Sequence, residues 1–437
     1  MAPLRVFELK GRAVASGPLD GITVLEFTQI IAGPIACQHL ADMGAEVIKV
    51  EPPEGEPWRQ FSQFMPGEAK FFQSLNRGKK SLVLALQDPE AQAIVHRLIP
   101  QIDVVVVNYR PDVPARLHID YDTLSAIRPD LIYVDNTAFG RRGPWAHRPG
   151  YDIVAQAVSG LMAGEGKVDA QGAPAMIRST AIADYGTGLA IAWGVCAALF
   201  HRQRRGEGQL ISSSLLHTAL SFQGAAVFDL PAADATVGPR MARVHALQAQ
   251  GASYPEVLDA YDPTRTLLAG NIYYRPYATK DGAIAIGALS PSLWAKVRQA
   301  VGTEFLGIAD PHFNPMDAAW RANASAAVAA VETTLRSKTT DEWMAIFDRD
   351  GVPAGPVHFA EDMIDDPQVQ ANGMMVELEH DLSGPQRQVG PILGFSKTPL
   401  AAQGASPPLG RDSDEYVRRA GYSDAEIAAF RERGVIA

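Results

Sequence analysis

Short apolar strands that alternate with helix-like segments constrain the fold of this chain more than any other feature. The run Val104–Val107 consists of β-branched residues only, which suits a strand that is covered on both faces in a parallel sheet. Proline at an early helical position marks helices that begin after Gly33 and after Asp88. Further strand-like segments lie at residues 22–27, 46–51, 81–86 and 131–135. The alternation predicts an α/β fold with a doubly wound parallel layer.

A second, smaller α/β unit is predicted over residues 267–350. Its strands are expected at residues 272–277 and 283–286, with a tight turn between them. Thr339 followed by Glu342 forms a capping-box pattern, which is typical of the start of a helix.

The remaining boundaries follow from weaker patterns. A long apolar helix is expected over residues 186–201, inside a first domain part that covers residues 18–221. The pattern fades over residues 222–266, which we interpret as a linker. Residues 1–17 are interpreted as an extension that precedes the first domain.

Composition narrows the class of protein. The formal net charge is -10, which argues against a nucleic-acid binder with a broad basic surface but permits a local basic pocket for one phosphorylated ligand. The two cysteines, Cys37 and Cys196, lack metal-ligand spacing, and free thiols suit a reducing, cytoplasmic location. We expect no secretory signal and no membrane span, since neither a leader-type apolar segment nor a run of about 18 apolar residues is evident.

Common enzymatic motifs are missing from the sequence. No GxGxxG follows the first strand, and there is no GxxxxGK[ST], GxSxG or HExxH. The ten histidines show no metal-binding spacing either. Hydride transfer, nucleotide-dependent phosphoryl transfer and serine hydrolysis therefore lose their usual sequence support.

Asp184 is the most informative single residue. It stands at the start of a long apolar helix, within the segment Ala183-Asp184-Tyr185-Gly186-Thr187-Gly188. One interpretation is a helix-capping aspartate. The other is a covalent nucleophile, because a helix N-terminus favours an ionised carboxylate and the flanking glycines leave space for a large electrophile. The two roles are compatible in one residue.

Two loops are candidate ligand-binding segments. Asn108, Tyr109 and Arg110 follow the strand Val104–Val107, and ligands of open α/β sheets bind beyond the carboxyl ends of the strands. The second candidate is the Gly/Pro-rich loop before Gly150-Tyr151-Asp152, which would cover a bound ligand. Solvated-loop and simple turn roles stay open for both. Arginines that would add a basic rim are Arg59, Arg116, Arg141, Arg142 and Arg148.

Together these segments resemble the family III CoA-transferases, which include formyl-CoA transferase and carnitine CoA-transferase. The resemblance rests on GPLDGITVLEFTQIIAGP, ADMGAEVIKVEPPEGEPWR, NRGKKSLVLAL, VVVVNYRPDVPARL, GPWAHRPGYDIVAQAVSG, ADYGTGLAIAWGVCAALFHRQRRGEGQ, GVPAGPV and the tail GYSDAEIAAFRERGVIA. It implies a large Rossmann-like domain built from both chain ends, so that residues 351–437 return to it, with a smaller inserted α/β domain. It also implies an interlocked homodimer.

The resemblance further implies a chemical role for Asp184. The family's catalytic aspartate falls on Asp184, which would carry CoA as an aspartyl thioester between an acyl-CoA donor and a small carboxylic acid acceptor. No metal and no cofactor other than CoA is implied, and neither nucleic acid nor a membrane is an expected partner. The CoA-contacting positions fall on Ile31, Ala32, Leu84, Asn108, Tyr109, Arg110, Arg116, Pro149, Gly150, Tyr151 and Asp152.

Three departures from formyl-CoA transferase predict altered contacts. Gln29 and Ile31 replace a His and a Gln, Pro52 replaces an Arg, and a glycine run in the small domain is missing. The formyl/oxalate specificity is therefore left open.

Three other functions compete with CoA transfer. An α-methylacyl-CoA racemase needs a general base and a general acid on opposite faces of the α-carbon, and Tyr151 occupies the place of the racemase histidine. A neutral tyrosine is a poor base at pH 7, which disfavours this isomerase. The other two competing functions are non-catalytic CoA binding and slow thioester hydrolysis.

Overall fold

The structure, a computed structural model, describes residues 17–232, 234–235, 237–261, 271–314 and 317–437. The predicted extension thus lies outside the described residues except for Gly17. The chain divides into two compact units. One unit holds the described residues up to Glu165 together with Met176–Phe228 and Pro367–Ala437. The other holds Gly166–Ala175 and Asp229–Asp366.

The strands are numbered in chain order. They are β1 Thr23–Phe27, β2 Glu46–Glu51, β3 Gln63–Met65, β4 Glu68–Ala69, β5 Lys80–Val83, β6 Val104–Val107, β7 Ile132–Thr137, β8 Gln209–Ser214, β9 Tyr274–Ala278, β10 Ala283–Gly287, β11 Ala354–Pro356, β12 Met375–His380 and β13 Gly384–Val389.

The helices are numbered in the same way. They are α1 Ala32–Asp42, α2 Pro57–Gln60, α3 Lys70–Leu75, α4 Pro89–Leu98, α5 Val113–Arg116, α6 Tyr121–Ile127, α7 Asp152–Ser159, α8 Leu161–Glu165, α9 Ile182–Arg205, α10 Leu215–Ser221, α11 Val237–Ala249, α12 Tyr254–Tyr261, α13 Pro291–Val301, α14 Ala318–Leu335, α15 Thr340–Asp350, α16 Pro367–Ala371, α17 Ser413–Arg419 and α18 Asp424–Glu432.

The first unit is built on a six-stranded sheet in the order β5-β2-β1-β6-β7-β8. All five neighbouring pairs are parallel. The prediction of an α/β fold with a parallel sheet is therefore confirmed. The chain reverses its direction of winding beside β1, so the loops after β1 and β6 diverge and leave a crevice at the carboxyl ends of these strands.

Both faces of this sheet are buried, as the run of four valines predicts. Val105 and Val107 pack with residues of α4, α17 and α18 on one face. Val104 and Val106 pack with residues of α1 and α9 on the opposite face. All four side chains are fully buried. Since successive residues of a strand point to opposite faces, only a strand covered on both sides favours an uninterrupted apolar run.

Helix α9 has a composition that suits either a protein core or a membrane. It has 24 residues and contains an 18-residue stretch with a mean hydropathy of 1.4, which by length and composition alone would suit a membrane span. Half of its apolar stretch is buried against the protein, where Ile191 and Val195 join the core shared with α1. A core helix of a soluble protein has the same composition, so the helix by itself does not distinguish the two.

The second unit contains an antiparallel sheet in the order β11-β10-β9, packed with α13, α14 and α15. The predicted capping box of Thr339 and Glu342 is present at the start of α15. Residues 267–270 of the predicted small domain lie outside the described residues. The unit also extends to Asp366, beyond the predicted boundary at residue 350.

The interpretation of residues 222–266 as a linker is wrong. In the described part of this segment, α11 and α12 form helices that belong to the second unit. Val244 of α11 packs with Val257 and Ala260 of α12 in a small apolar cluster. Helix α11 buries only Val244 and α12 is only eight residues long, so neither leaves a long apolar pattern in the sequence.

Candidate active site

Asp184 lies in the first turn of α9 and is almost completely buried, with 7% of its surface exposed. The helix begins earlier than predicted, so the N-cap position is Ala181 and Asp184 is the third helical residue. The interpretation of Asp184 as the capping residue is therefore wrong. Within the described part of the chain, no residue donates a hydrogen bond to its carboxylate.

Asp152 performs the capping role instead. One oxygen of its carboxylate, Oδ1, accepts hydrogen bonds from the backbone N–H groups of Ala183 at 2.7 Å and of Asp184 at 3.1 Å. The other oxygen accepts from the side-chain amide of Gln156. A carboxylate at a helix N-terminus satisfies N–H groups that have no partner inside the helix, and it is favoured by the helix dipole. Asp152 thus ties α7 to the start of α9 and leaves the Asp184 carboxylate available.

Burial and a neighbouring charge control the ionisation of Asp184. Loss of hydration raises its pKa to about 7, and the negative charge of Asp152 adds to the rise. The sequence argument from the helix N-terminus favours the ionised form, but burial outweighs that effect here. Near neutral pH the residue is therefore divided between the carboxylic acid and a poorly hydrated carboxylate.

The glycines beside Asp184 do not leave open space, contrary to the sequence-based expectation. A Cβ atom built on Gly186 would lie 2.2 Å from the ring of Phe222, and one built on Gly188 would lie 2.3 Å from Ile35. Both glycines therefore allow neighbouring segments to pack closely against α9. The approach to Asp184 comes from another direction.

That approach is a small cleft with a volume of about 50 Å³ at the carboxyl edge of the central sheet. Its volume is of the order of one or two water molecules, so it suits a single carboxyl or thioester group. The lining residues come from the loops after β1 and β6, the end of β7 and the starts of α7, α9 and α10. They are Gln29, Ile30, Asn108, Asn136, Thr137, Ala138, Gly150, Tyr151, Asp184 and Leu215.

The corner at Gln29 and Ile30 is held by two side chains. Asn108 accepts a hydrogen bond from the Gln29 backbone N–H at 2.9 Å and donates one to the Gln29 carbonyl oxygen at 2.8 Å. Ile30 has a φ of +70°, which is unfavourable for a β-branched residue. The buried Glu56 carboxylate accepts the Ile30 N–H at 2.7 Å, and Lys49 lies 3.1 Å from Glu56. Strain of this kind persists only where surrounding contacts enforce it.

The structure brings together only some of the predicted CoA-contacting positions. Asn108, Gly150 and Tyr151 line the cleft with Asp184. Ile31 is the N-cap residue of α1, directly after the strained corner, and Asp152 lies behind Asp184 as its helix cap.

Several other predicted positions lie outside the lining. The side chains of Ala32 and Leu84 are buried in apolar clusters, and Tyr109 packs against the core. Pro149 is exposed in the loop before α7. Arg110 and Arg116 are exposed on the segment that follows β6, where Arg110 forms a salt bridge of 3.2 Å with an adjacent aspartate.

The predicted basic rim is only partly present. Arg59 is fully buried and forms salt bridges with Glu51 at 2.6 Å and with Glu68 at 3.3 Å, so its assignment to a rim is wrong. Arg141 binds Asp135 at the end of β7 and donates to the Pro111 carbonyl oxygen at 2.9 Å. Arg142 and Arg148 are exposed. Among the described residues no group of His, Cys, Asp and Glu is arranged to hold a metal ion.

Sequence reasoning missed most of the cleft lining on the β7 side. Strand β7 runs two residues beyond the predicted end at Asp135 and so brings Asn136 and Thr137 to the carboxyl edge. Polar residues directly after an apolar strand, at the edge where ligands bind, were the signal that would have identified them.

Comparisons with known proteins show the family of this chain. The family model described as CoA-transferase family III matches residues 19–413. A succinyl-CoA:glutarate CoA-transferase from Mus musculus is 31% identical, with 96% of this chain and 90% of the relative covered. An acetyl-CoA:oxalate CoA-transferase from Acetobacter aceti is also 31% identical, with 84% and 87% covered.

A solved structure shows the same fold. The crystal structure of a CAIB/BAIF family protein from Brucella suis matches with a TM-score of 0.70 and 28% identity, covering 93% of this chain and 100% of that protein. The resemblance inferred from the sequence blocks is thus confirmed. This chain belongs to CoA-transferase family III.

Proposed function

We propose that this enzyme transfers CoA from an acyl-CoA donor to a small carboxylic acid through a covalent aspartyl-CoA intermediate on Asp184. CoA-transferase activity follows from the family. The observation that supports Asp184 as the nucleophile is its buried carboxylate in the cleft, which has no hydrogen-bond donor among the described residues. A carboxylate that is neither hydrated nor held by donors is a stronger nucleophile than one that is.

The chemistry needs four bond exchanges. Asp184 Oδ forms a bond to the thioester carbonyl carbon, and the C–S bond breaks to release CoA thiolate and leave a mixed anhydride. The thiolate then attacks the aspartyl carbonyl carbon, and the donor acid departs as its carboxylate. The acceptor carboxylate repeats these two steps in reverse. Each step exchanges one activated acyl bond for another, so no metal or redox cofactor is required.

Cleft residues and nearby cations support a CoA site at this edge of the sheet. Asn108, Gly150 and Tyr151 would contact the pantetheine end beside Asp184, since they line the same cleft. Arg110 and Arg116 would contact the CoA phosphates, because exposed arginines suit phosphate recognition, and Arg110 would exchange its salt bridge with Asp112 for the ligand.

Two observations support the finer architecture that the family implies. Counted along the chain, the sheet strands lie in the order 3-2-1-4-5-6, which is the order of Rossmann-like sheets. Trp193 is 70% exposed and Leu189 is 47% exposed on α9, beside an apolar groove of about 560 Å³. A patch of large exposed apolar side chains suits an interface, and we assign it to the proposed homodimer.

Transfer assays with defined donors and acceptors test this function. Succinyl-CoA and acetyl-CoA are suitable donors, with glutarate and oxalate among the acceptors, because the relatives are named for these substrates. Asp184→Asn is expected to lower turnover by at least about 1,000-fold while CoA binding persists. The matched control is Asp122→Asn, which changes an exposed acid in the first turn of α6. Wild-type turnover in Asp184→Asn contradicts the proposal.

Racemisation is the nearest alternative, and its geometry is less favourable. Tyr151, at the racemase histidine position, is 58% exposed and lines the cleft. Deuterium uptake at the α-carbon of a 2-methylacyl-CoA, in D₂O without an acceptor acid, measures this activity. Exchange at a rate comparable with CoA transfer would favour the isomerase.

A further inference from the structure

Asn136 is a buried polar residue of the cleft that neither the family resemblance nor the sequence motifs single out. It is the penultimate residue of β7 and is 4% exposed. In the parallel pairing of β7 with β8, Asn136 is in register with Ser213. The hydroxyl of Ser213 donates a hydrogen bond to Asn136 Oδ1 at 2.9 Å. The carbonyl end of the amide is therefore fixed by the neighbouring strand.

The other end of the same amide is free to bind a ligand. An asparagine side chain has one carbonyl oxygen and one NH₂ group, which diverge from the same amide carbon and can bind separate partners. Within the described part of the chain, no residue accepts a hydrogen bond from Asn136 Nδ2, and this atom is not among the enclosed polar atoms without a partner. Since Asn136 lines the cleft that contains Asp184, the NH₂ group has the cleft as its open side.

We propose that Asn136 Nδ2 donates a hydrogen bond to the acyl oxygen when Asp184 attacks the thioester, which makes Asn136 a catalytic residue. This inference rests on the function proposed for Asp184. As the new C–O bond forms, the carbonyl π electrons move onto the acyl oxygen, and they return when the C–S bond breaks and the thiolate leaves. Asn136 transfers no proton; it stabilises the negative charge in between.

A neutral amide suits this position better than a cation would. Lysine or arginine beside Asp184 would pair with its carboxylate before reaction and stabilise the ground state. An amide donor acts most strongly on the charge that develops during attack, and only such differential stabilisation accelerates the chemical step. Fixing the carbonyl end on Ser213 keeps the donor in place, so little reorganisation is needed.

Single-turnover formation of the CoA adduct on Asp184, with a saturating acyl-CoA donor and quenched-flow mass spectrometry, tests the role of Asn136. Asn136→Ala is expected to slow adduct formation by about 100-fold, with CoA affinity unchanged, because one oxyanion donor is lost. Ser213→Ala is expected to cost about tenfold, since the donor remains but is held less firmly. Ser212→Ala, which changes the exposed neighbour on the same strand, serves as the matched control and should retain the wild-type rate.

The outcomes separate the two proposals. If wild-type protein transfers CoA without forming any adduct, the proposed function of Asp184 fails and the role of Asn136 fails with it. If the wild type forms the adduct and Asn136→Ala forms it at the same rate, only the role of Asn136 is overturned. Should Asn136→Ala not fold, as judged by its thermal transition, equal rates in Ser213→Ala and Ser212→Ala overturn it instead.

Discussion

Asp184→Asn is expected to stabilise the folded protein, and the gain should grow with pH. The pKa of Asp184 is about 7 in the folded protein and 3.8 for an ordinary aspartate. Below the lower value both states are protonated, and the carboxyl has no effect on stability. As pH rises, the unfolded chain ionises first and gains the free energy of hydration, so the folded state loses relative stability until its own carboxyl ionises near pH 7.

The magnitude follows from the difference between these two pKa values. A difference of about three pH units corresponds to about 4 kcal/mol, since each unit is worth about 1.4 kcal/mol. Replacement by the isosteric amide removes this cost. The free energy of unfolding of Asp184→Asn should therefore exceed that of the wild type by about 2 kcal/mol at pH 5 and by about 4 kcal/mol at pH 8.

Urea denaturation of both proteins at pH 5 and pH 8 measures the effect. The exposed control Asp122→Asn should change the free energy of unfolding by less than about 0.5 kcal/mol at either pH. Equal stability of Asp184→Asn and wild type at pH 8, or a gain that is the same at both pH values, would refute the reasoning. The stabilised variant should be inactive, as expected where a catalytic group is kept at a cost to stability.

Two further predictions concern the support of the site. Gly186→Ala should destabilise the fold by about 2 kcal/mol, because its Cβ would overlap an aromatic ring. Gly194→Ala on the same helix should be neutral or stabilise the fold by up to about 1 kcal/mol, and thermal denaturation compares the two variants. Glu56→Ala should lower kcat more than Glu56→Gln, since glutamine retains an acceptor for the Ile30 N–H. Equal kcat values in the two Glu56 variants, at similar unfolding midpoints, would contradict a positioning role for this contact.

The parallel sheet was predictable because its determinants are local. The valine run of β6 reveals burial on both faces, and proline at an early helical position marks the start of α4. Asp184 was also recognisable by its place at the start of an apolar helix and by the family pattern. What the sequence did not reveal was the protonation behaviour of this residue, because that depends on burial by segments distant along the chain.

Other features of the site depend on tertiary contacts that no local pattern encodes. The capping of α9 by Asp152 joins residues 32 positions apart in the chain. A glycine in the sequence can mark either open space or close packing. Only the positions of Phe222 and Ile35 in the fold show that Gly186 and Gly188 serve close packing. Arg59 likewise belongs to a buried ion-pair network, although arginine is mostly an exposed residue.

The covalent role of Asp184 is tested most directly by mass spectrometry of the protein during turnover. Incubation with a donor acyl-CoA that supports transfer, followed by acid quenching and proteolysis, should yield CoA bound as a thioester to the peptide that contains Asp184. Hydroxylamine should release it and convert that aspartate to a hydroxamate, and Asp184→Asn should yield neither product. Continued CoA transfer with no adduct, or with CoA attached to a different residue, would contradict the account.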